Sequence, residues 1–372
     1  MVFNNSTEDY SEIFFNHTNG INFTTCPYQS SNVSLEISMT GEICSNYTNT
    51  YTDHNIENEK YIIEEVAIWI WRIVAPLIFL IGTVGNFVII LIMYRMKFWK
   101  KITYGFLVFL AISDTIVLCI GLSRQWIIRV FDYDFRNSSD FGCKVLVFSI
   151  YFWMHISSWT LVCITMERFL KTRDPFRNHC SNVSMIVKCT YLVVILLSIG
   201  LDTPLIVTNG LVLTENGLVC NNTSEEYFIY EEKYFVFLDL IWLSFLPFIV
   251  MLIMNMFVGR TIWNSIRRRQ QFIPDEHNRA RHGRTNTRLT RMLFWTSVYF
   301  LITTLPISIY NIVDTFLSTT STPSKQTTAG LFLSRAILYP LQFSNYSVNL
   351  YINIKVKQSY RRFLPGCCHK QR

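Results

Sequence analysis

Seven apolar runs of about 20 residues or more follow a polar N-terminal stretch. Taken as an α-helix at about 1.5 Å per residue, each run can cross a hydrocarbon core of roughly 30 Å. The pattern predicts an all-α membrane protein, a bundle of seven transmembrane helices spanning residues 66–354. The predicted runs are 66–94, 103–130, 143–170, 185–207, 234–258, 292–313 and 331–354.

The third run organises this pattern, because one stripe of residues along it, from Ile150 to Arg168, ends in a charge. Polar and apolar positions from Ile150 to Arg168 recur at steps of three and four residues, which places them on one face of a helix. A charge that faces lipid is energetically costly, so Arg168 indicates a helix that packs among other helices. The simpler alternative is an interfacial pair, Glu167 and Arg168, that only ends the helix.

Composition agrees with a membrane protein. The chain of 372 residues is 50% hydrophobic and only 16% charged, which is far more apolar than a soluble domain of this length. The net charge of +7 conceals an asymmetry, because residues 1–65 contain ten acids and one base. The remaining basic residues lie in short loops, which argues against a nucleic-acid-binding module.

Residues 1–65 are predicted to form a glycosylated, largely disordered extracellular tail. They contain no basic start followed by an apolar core, so we expect the first spanning helix to direct membrane insertion. Cys26 and Cys44 lie in this tail and either pair or remain free thiols. Glycosylation triplets begin at Asn4, Asn5, Asn16, Asn22, Asn32 and Asn46 in the tail, and at Asn137, Asn221 and Asn222 in loops.

The loop charges predict the orientation. Lysine and arginine concentrate after the first, third and fifth runs, and basic loops stay in the cytoplasm. The N-terminal tail is therefore expected outside the cell and residues 355–372 inside, in a multi-pass protein of the plasma membrane. The glycosylation triplets in the loops at Asn137, Asn221 and Asn222 fall on the outside in this arrangement.

Polar residues also occur near the middle of the apolar runs. Asn86, Asp114 and Ser157 lie in the first three runs, and Asn345 and Asn349 lie in the seventh. A lone carboxylate at mid-membrane costs about 2.5–3.5 kcal/mol. These groups therefore either form a hydrogen-bonded network that fixes the helices or, at Asp114, hold an ion or a proton.

The order and spacing of several motifs resemble the rhodopsin-like G-protein-coupled receptors over residues 66–364. Any one motif is weak, but together they are specific. They are GTVGNFVI around Asn86, LAISD ending at Asp114, Cys143, MERF containing Arg168, Pro175, FLPF containing Pro247, LITTLP ending at Pro306, and NLYIN beginning at Asn349.

Some positions depart from the family pattern. The family's helix-four Trp is missing, its helix-six Cys-Trp-x-Pro is Thr303-Thr304-Leu305-Pro306, and the helix-seven Pro is absent after Asn349. Two subfamilies are excluded: Phe343 occupies the position of an opsin's Schiff-base lysine, and Ile150 occupies that of an amine receptor's aspartate. Peptide, lipid or small chemosensory ligands remain.

The resemblance implies a G-protein-coupling face and a structural disulfide. Glu167, Arg168, Pro175 and Phe176 would contact a heterotrimeric G protein, and Cys143 would pair with Cys220. Residues 355–372 are predicted to form an amphipathic helix on the membrane lipids. Cys367 and Cys368 at its end are candidate palmitoylation sites.

A sodium ion is the expected allosteric ligand, and no other cofactor is expected. Asp114 would supply the negative charge, and neutral side chains would supply further oxygens of the kind a hard cation takes. The predicted sodium ligands are Asp114, Ser157, Asn345 and Asn349.

We expect the extracellular ligand to be a short peptide held by two deep charges, Arg124 and Asp239. Tyr151, Met154, Asn311 and Tyr339 are expected to line the cavity between them. The alternative is that Arg124 and Asp239 pair with each other or with water and only stabilise the fold. Other functions considered are a chemosensory or lipid receptor and a transporter; no catalytic motif predicts an enzyme.

Overall fold

The computed structural model describes residues 39–95, 97, 102–173, 180–215, 217–272, 294–314, 316 and 325–349. Side chains are described from residue 61 onward, except at 180–182, 262, 265–266, 268–272, 315 and 325–329. The chain divides into two compact units, Met1–Glu59 and Lys60–Arg372.

Seven long helices form the described part of the bundle, in the order that the apolar runs predict. Six of them are long and apolar enough to cross a membrane. Their bounds are α1, Met39–Arg95; α2, Ile102–Phe131; α3, Asp140–Arg173; α4, Cys180–Asp202 continued by Pro204–Thr208; α5, Glu225–Thr261, helical on to Phe272; α6, Phe294–Asp314; and α7, Lys325–Ser344.

Helix α1 begins earlier than expected. It starts at Met39, inside the stretch predicted to be a largely disordered tail, so residues 39–65 of that stretch are helical. After Gly41 the sequence contains no glycine or proline until Pro76, so no strong helix breaker separates these residues from the apolar run.

Helix α7 is interrupted inside the predicted seventh run, residues 331–354: it ends at Ser344, a turn follows, and Asn349 is again helical. Pro340 lies inside it, and a proline lacks the amide hydrogen that a helix uses. After Ser344 the amides of Asn345 and Tyr346 donate to the carbonyls three residues before them, at 3.0 and 3.1 Å. The tightened turn corrects the expectation that Asn345 and Asn349 share one face of a continuous helix.

Helices α1, α2 and α7 approach closely around two small or polar residues. Asn86 is fully buried, and its Nδ2 donates to the Tyr346 carbonyl at 3.1 Å. A Cβ at Gly82 would lie 2.7 Å from Ser347 Cβ. Glycine permits this contact because it has no side chain, and the Asn86 bond then ties α1 to the turn after α7.

A β-hairpin follows α4 and lies against α3. Strand β1, Asn209–Thr214, pairs antiparallel with β2, Gly217–Asn222. Cys220 in β2 forms a disulfide with Cys143 at the start of α3, as predicted, with a Cα–Cα distance of 5.6 Å. The Cys220 amide also donates to Asn137 Oδ1 at 2.8 Å. We call this end of the bundle the disulfide end and the opposite one the Arg168 end.

Candidate ligand-binding and signalling sites

A buried histidine joins three helices in the disulfide half of the bundle. Nδ1 of His155 in α3 lies 3.0 Å from Asp202 Oδ2 in α4, and its Nε2 lies 3.0 Å from Asp239 Oδ1 in α5. His155 and Asp202 are completely buried, and Asp239 is 8% exposed. We call these three residues the His155 triad.

Local backbone geometry places each member of the triad. His155 lies one turn after Tyr151 on α3, and Asp202 is the last residue of α4 before the turn at Thr203. Asp239 lies between two π-helical turns of α5, Glu231–Phe235 and Leu240–Phe245. A π turn inserts an extra residue, which rotates the following helix face.

The charge of the triad is unbalanced. A neutral imidazole has one donor nitrogen and one acceptor nitrogen, but both nitrogens of His155 face carboxylate oxygens. Either the imidazole is protonated, which leaves two carboxylates and one cation, or one carboxyl carries a proton. Asp202 Oδ1 is buried without a hydrogen-bond partner among the described residues. The described part of the chain contains no group of His, Cys, Asp or Glu placed to hold a metal ion.

Asp239 is the least buried member of the triad. Its side chain is 11% exposed, whereas those of His155 and Asp202 are completely covered. Tyr151 packs edge-to-face against Phe235 at a centroid distance of 5.0 Å, and it interacts electrostatically with Asp239 and Tyr339. The predicted ligand-binding residues Asp239, Tyr151 and Tyr339 are therefore brought together.

Two other predicted ligand contacts are less clearly part of this region. Met154 is 7% exposed and belongs to a hydrophobic cluster that Tyr151 and Tyr339 also contact. Asn311 is partly buried; none of the described contacts joins it to Asp239 or Tyr151.

Arg124 forms an ion pair with Asp134 rather than with Asp239. Its Nη2 lies 2.8 Å from Asp134 Oδ2, and Arg136 Nη2 lies 2.9 Å from the same oxygen. Burial alone would raise the pKa of Asp134, but hydrogen bonds from Arg124 and Arg136 outweigh it and hold that pKa at about 2. The structure pairs Arg124 with Asp134 and not with Asp239, while the predicted contact of Arg124 with a ligand stays a prediction.

The other pair of charges at the disulfide end joins α6 and α7. Arg335 forms an ion pair with Asp314, and its Nε donates to the Tyr310 hydroxyl at 2.9 Å. The Tyr310 hydroxyl in turn donates to the Leu331 carbonyl at 3.1 Å. Asp314 and Arg335 thus connect two helices at this end of the bundle.

A second polar cluster surrounds Asp114 deeper in the bundle. Asp114 is completely buried. Its Oδ1 accepts a hydrogen bond from Ser157 Oγ at 2.5 Å, and its Oδ2 accepts one from Asn349 Nδ2 at 2.6 Å. Asn345 is buried nearby in the turn after α7, but no described contact connects it to Asp114. Three of the four predicted sodium ligands therefore meet.

At the Arg168 end, Glu167 is buried against α2. Its Oε1 accepts a hydrogen bond from Thr103 Oγ1 at 2.6 Å and contacts Lys171. Arg168 is partly buried. The remaining predicted coupling residues, Pro175 and Phe176, lie outside the described residues. The same holds for the tail acceptor side chains, Cys26, Cys44, Cys367, Cys368 and the predicted amphipathic helix.

Sequence reasoning missed His155, Asp202 and Asp134. The first two carried a usable signal, because each is an ionisable residue inside an apolar run and such residues are rarely kept without a function or a partner. Asp134 carried no such signal, since it lies in a short loop where carboxylates are common.

Comparison with known proteins supports the arrangement. The family model described as "7 transmembrane receptor (rhodopsin family)" matches residues 85–345. Galanin receptor 2b of Danio rerio is 25% identical over 311 residues, which cover 82% of this chain and 76% of that receptor. The type-1 angiotensin II receptor of Homo sapiens is 24% identical over 141 residues, 38% of each chain. The match thus spans well under half of the angiotensin receptor.

Proposed function

Because this chain belongs to the rhodopsin family of seven-transmembrane receptors, we propose that it binds a short extracellular peptide at its disulfide end and activates a heterotrimeric G protein at its Arg168 end. It is a multi-pass membrane receptor and not an enzyme. The relatives that are named as receptors for galanin and angiotensin II favour a peptide over a lipid or a small chemosensory molecule.

The observation that carries the ligand proposal is the least buried carboxylate of the His155 triad. Asp239 is 8% exposed while its histidine partner is fully buried, so Asp239 is the member of the triad that we propose the ligand contacts. With His155 protonated, the triad holds one more negative charge than positive. An ammonium or guanidinium group of the ligand would balance that charge through a charge-assisted hydrogen bond worth about 1.5–3 kcal/mol.

The acidic N-terminal tail supports a ligand with basic groups. Residues 1–65 contain ten acids and one base, and such a field raises the local concentration of a cationic peptide and speeds its capture. This capture should weaken at high salt, because the charges are then screened.

The proposed function is tested with purified receptor in lipid nanodiscs and a panel of G proteins. Peptide-containing tissue fractions are applied, and the release of GDP is measured. An active fraction that loses its effect after protease digestion supports a peptide ligand. Activity that survives digestion supports the lipid or small-molecule alternative.

In the proposed orientation the disulfide end faces outward, and the hairpin supplies a matched test. Asn221 is exposed, whereas Nδ2 of Asn222, the atom to which a glycan is attached, is buried. We expect Asn221→Gln to remove one glycan and Asn222→Gln to remove none, as measured by gel shift with and without glycosidase. Asn222→Gln leaves the triplet at Asn221 intact. Loss of a glycan in Asn222→Gln but not in Asn221→Gln would contradict this assignment. If neither asparagine carries a glycan, the hairpin gives no support for the proposed orientation.

The Asp114 cluster fits a sodium ion. Its carboxylate is fully buried and accepts hydrogen bonds only from neutral groups among the described residues, so its negative charge is not balanced there. Ser157 keeps lone pairs on its oxygen after donating, and the Asn345 amide oxygen is a further candidate ligand. When bound, the ion would neutralise Asp114 and link α2, α3 and α7.

Sodium should therefore stabilise the receptor in the absence of any agonist. At a concentration ten times its dissociation constant, an ion that binds only the folded state adds about 1.4 kcal/mol. We expect replacement of potassium chloride by sodium chloride at equal ionic strength to raise the thermal midpoint of the wild type and leave that of Asp114→Asn unchanged. If the wild type has the same thermal midpoint in the two salts, the Asp114 cluster does not bind sodium.

At the Arg168 end, the proposed G-protein contacts are Arg168, Pro175 and Phe176, with Glu167 holding the end of α3 in place. The hydrogen bond from Thr103 to Glu167 ties α3 to α2 at this position. The bond would let Glu167 orient the last turn of α3, and with it Arg168, toward the cytoplasm.

A further inference from the structure

The disulfide end of α2 and α7 holds more guanidinium groups than carboxylates that neutralise them. Asp134 is shared by Arg124 and Arg136, and Asp314 pairs with Arg335. Arg129, in the last turn of the α2 helix, has no carboxylate partner among the residues that the structure describes. Among these four guanidinium groups, the described ion pairs supply two carboxylates, Asp134 and Asp314.

The contacts of Arg129 do not neutralise it. Its guanidinium lies over the ring of Phe332 in α7, with Cζ 5.2 Å from the ring centroid. A ring face attracts a cation but carries no net charge. Arg124 and Arg335 both repel Arg129 electrostatically. The side chain is only partly exposed, so water and salt screen this repulsion less than they would at an open surface.

We infer that Arg129 anchors an anion-binding subsite that takes a carboxylate of the ligand, either its C-terminus or an acidic side chain. The inference rests on the proposed peptide-receptor function. A guanidinium presents a planar fork of N–H groups that matches the two oxygens of a carboxylate. Tyr339, which interacts with Arg124, Arg129 and Arg335, places a hydroxyl donor in the same field.

This subsite would fix the orientation of the ligand in the binding site. Asp239 in α5 would hold a positive group and Arg129 in α2 a negative one. Tyr151, which interacts with Asp239, and Tyr339, which interacts with Arg129, pack against the same hydrophobic cluster. Arg124, which the sequence suggests for the carboxylate, is already paired with Asp134 at 2.8 Å. The carboxylate contact is therefore assigned to Arg129, five residues or about 1.4 helical turns further along α2.

The test measures the electrostatic field at a reporter cysteine and needs no knowledge of the natural ligand. Tyr339→Cys is introduced, and its modification by a sulfonate-bearing methanethiosulfonate and a trimethylammonium-bearing one is timed. The wild type, which has exposed Cys119 and Cys189, supplies the blank. We expect Arg129→Gln to lower the ratio of anionic to cationic modification rates at least about tenfold. Loss of the positive charge should slow the reaction of the anionic reagent and speed that of the cationic one.

Three matched variants and two small probes separate the explanations. The double variant Asp134→Asn/Arg136→Gln, which removes one carboxylate and one guanidinium of the same ion pair and so keeps the net charge, should change the ratio less than about twofold. Arg129→Lys should preserve the ratio because the charge remains. N-acetylglycine, which has a carboxylate, should slow anionic modification only when Arg129 is present. N-acetylglycinamide, which lacks the charge, should not.

Several results would overturn the inference. One is a rate ratio that is insensitive to Arg129→Gln, and another is equal protection by N-acetylglycine and its amide. A third is an N-acetylglycine effect that disappears when anionic phospholipid is added to phosphatidylcholine nanodiscs, which would assign the subsite to a lipid phosphate. These outcomes are independent of the protease test, so failure of the subsite and failure of the peptide proposal are distinguishable.

Discussion

Replacing His155 by alanine is expected to destabilise the receptor by about 3–5 kcal/mol, because removal of one partner from a buried ion pair leaves the other charges uncompensated. Here the substitution leaves two carboxylates, Asp202 and Asp239, that were both 3.0 Å from the lost imidazole. The measurement is thermal or denaturant unfolding of purified receptor in detergent.

A neighbouring substitution and a double-mutant cycle control for lost packing. Ser158 is buried on the same helix and donates to the His155 carbonyl at 2.9 Å, so Ser158→Ala should cost only about 1 kcal/mol. Asp202→Asn combined with His155→Ala should cost less than the sum of the two, by roughly 0.5–3 kcal/mol, since one uncompensated charge has been removed. Additive costs, or a His155→Ala effect no larger than that of Ser158→Ala, would show that the triad is not a coupled charge network.

Removal of the disulfide should have an effect of similar size. Cys143 and Cys220 are 77 residues apart, and the chain-entropy model assigns about 4.5 kcal/mol to closing a loop of that length. We expect Cys143→Ser, Cys220→Ser and the double variant to lose the same amount of stability. All three should also lose response to an active peptide fraction, because the hairpin would no longer be tied to α3.

The free cysteines provide the control for this experiment. Cys189 is exposed and unpaired among the described residues, so Cys189→Ser should unfold like the wild type. If the single variants differ from the double variant, the two thiols act independently. If all three unfold like the wild type, the bond does not stabilise this receptor.

The sequence predicts the features that depend on local pattern. Apolar runs of sufficient length predict the number and order of helices. Lipid offers no hydrogen-bond partners, so the backbone groups of a spanning segment must bond to one another, as they do in a helix. The Cys143–Cys220 bond follows from the family resemblance. The grouping of Asp114, Ser157 and Asn349 follows from the cost of isolated polar groups in the membrane.

Pairing between helices could not be predicted in the same way. A helical wheel gives the residues that share a face, but not the rotation of that face toward a particular neighbour. In α5 the two π turns on either side of Asp239 alter that rotation, since one extra residue turns the helix by about 100°. Asp239 therefore meets His155 rather than Arg124, and Arg124 finds a loop carboxylate, Asp134.

The end of α7 shows a second limit. Asn345, Asn349 and Asn353 have a spacing of four residues that favours one helical face. The helix nevertheless stops at Ser344, and a hydrogen-bonded turn orients Asn349 toward Asp114. Periodicity therefore indicated the contact of Asn349 with Asp114 but not the turn after Ser344. Asn345 has no described contact with Asp114, and Asn353 lies outside the described residues.

The central claim is that a peptide activates this receptor through the carboxylate of Asp239. It is tested most directly by comparing the wild type with Asp239→Asn in nanodiscs, using GDP release from a G protein in response to a protease-sensitive fraction. We predict that Asp239→Asn, expressed and folded like the wild type, needs at least about tenfold more of the fraction, which corresponds to a loss of about 1.4 kcal/mol. Equal potency on the two receptors, or an active fraction that resists protease, would contradict the account.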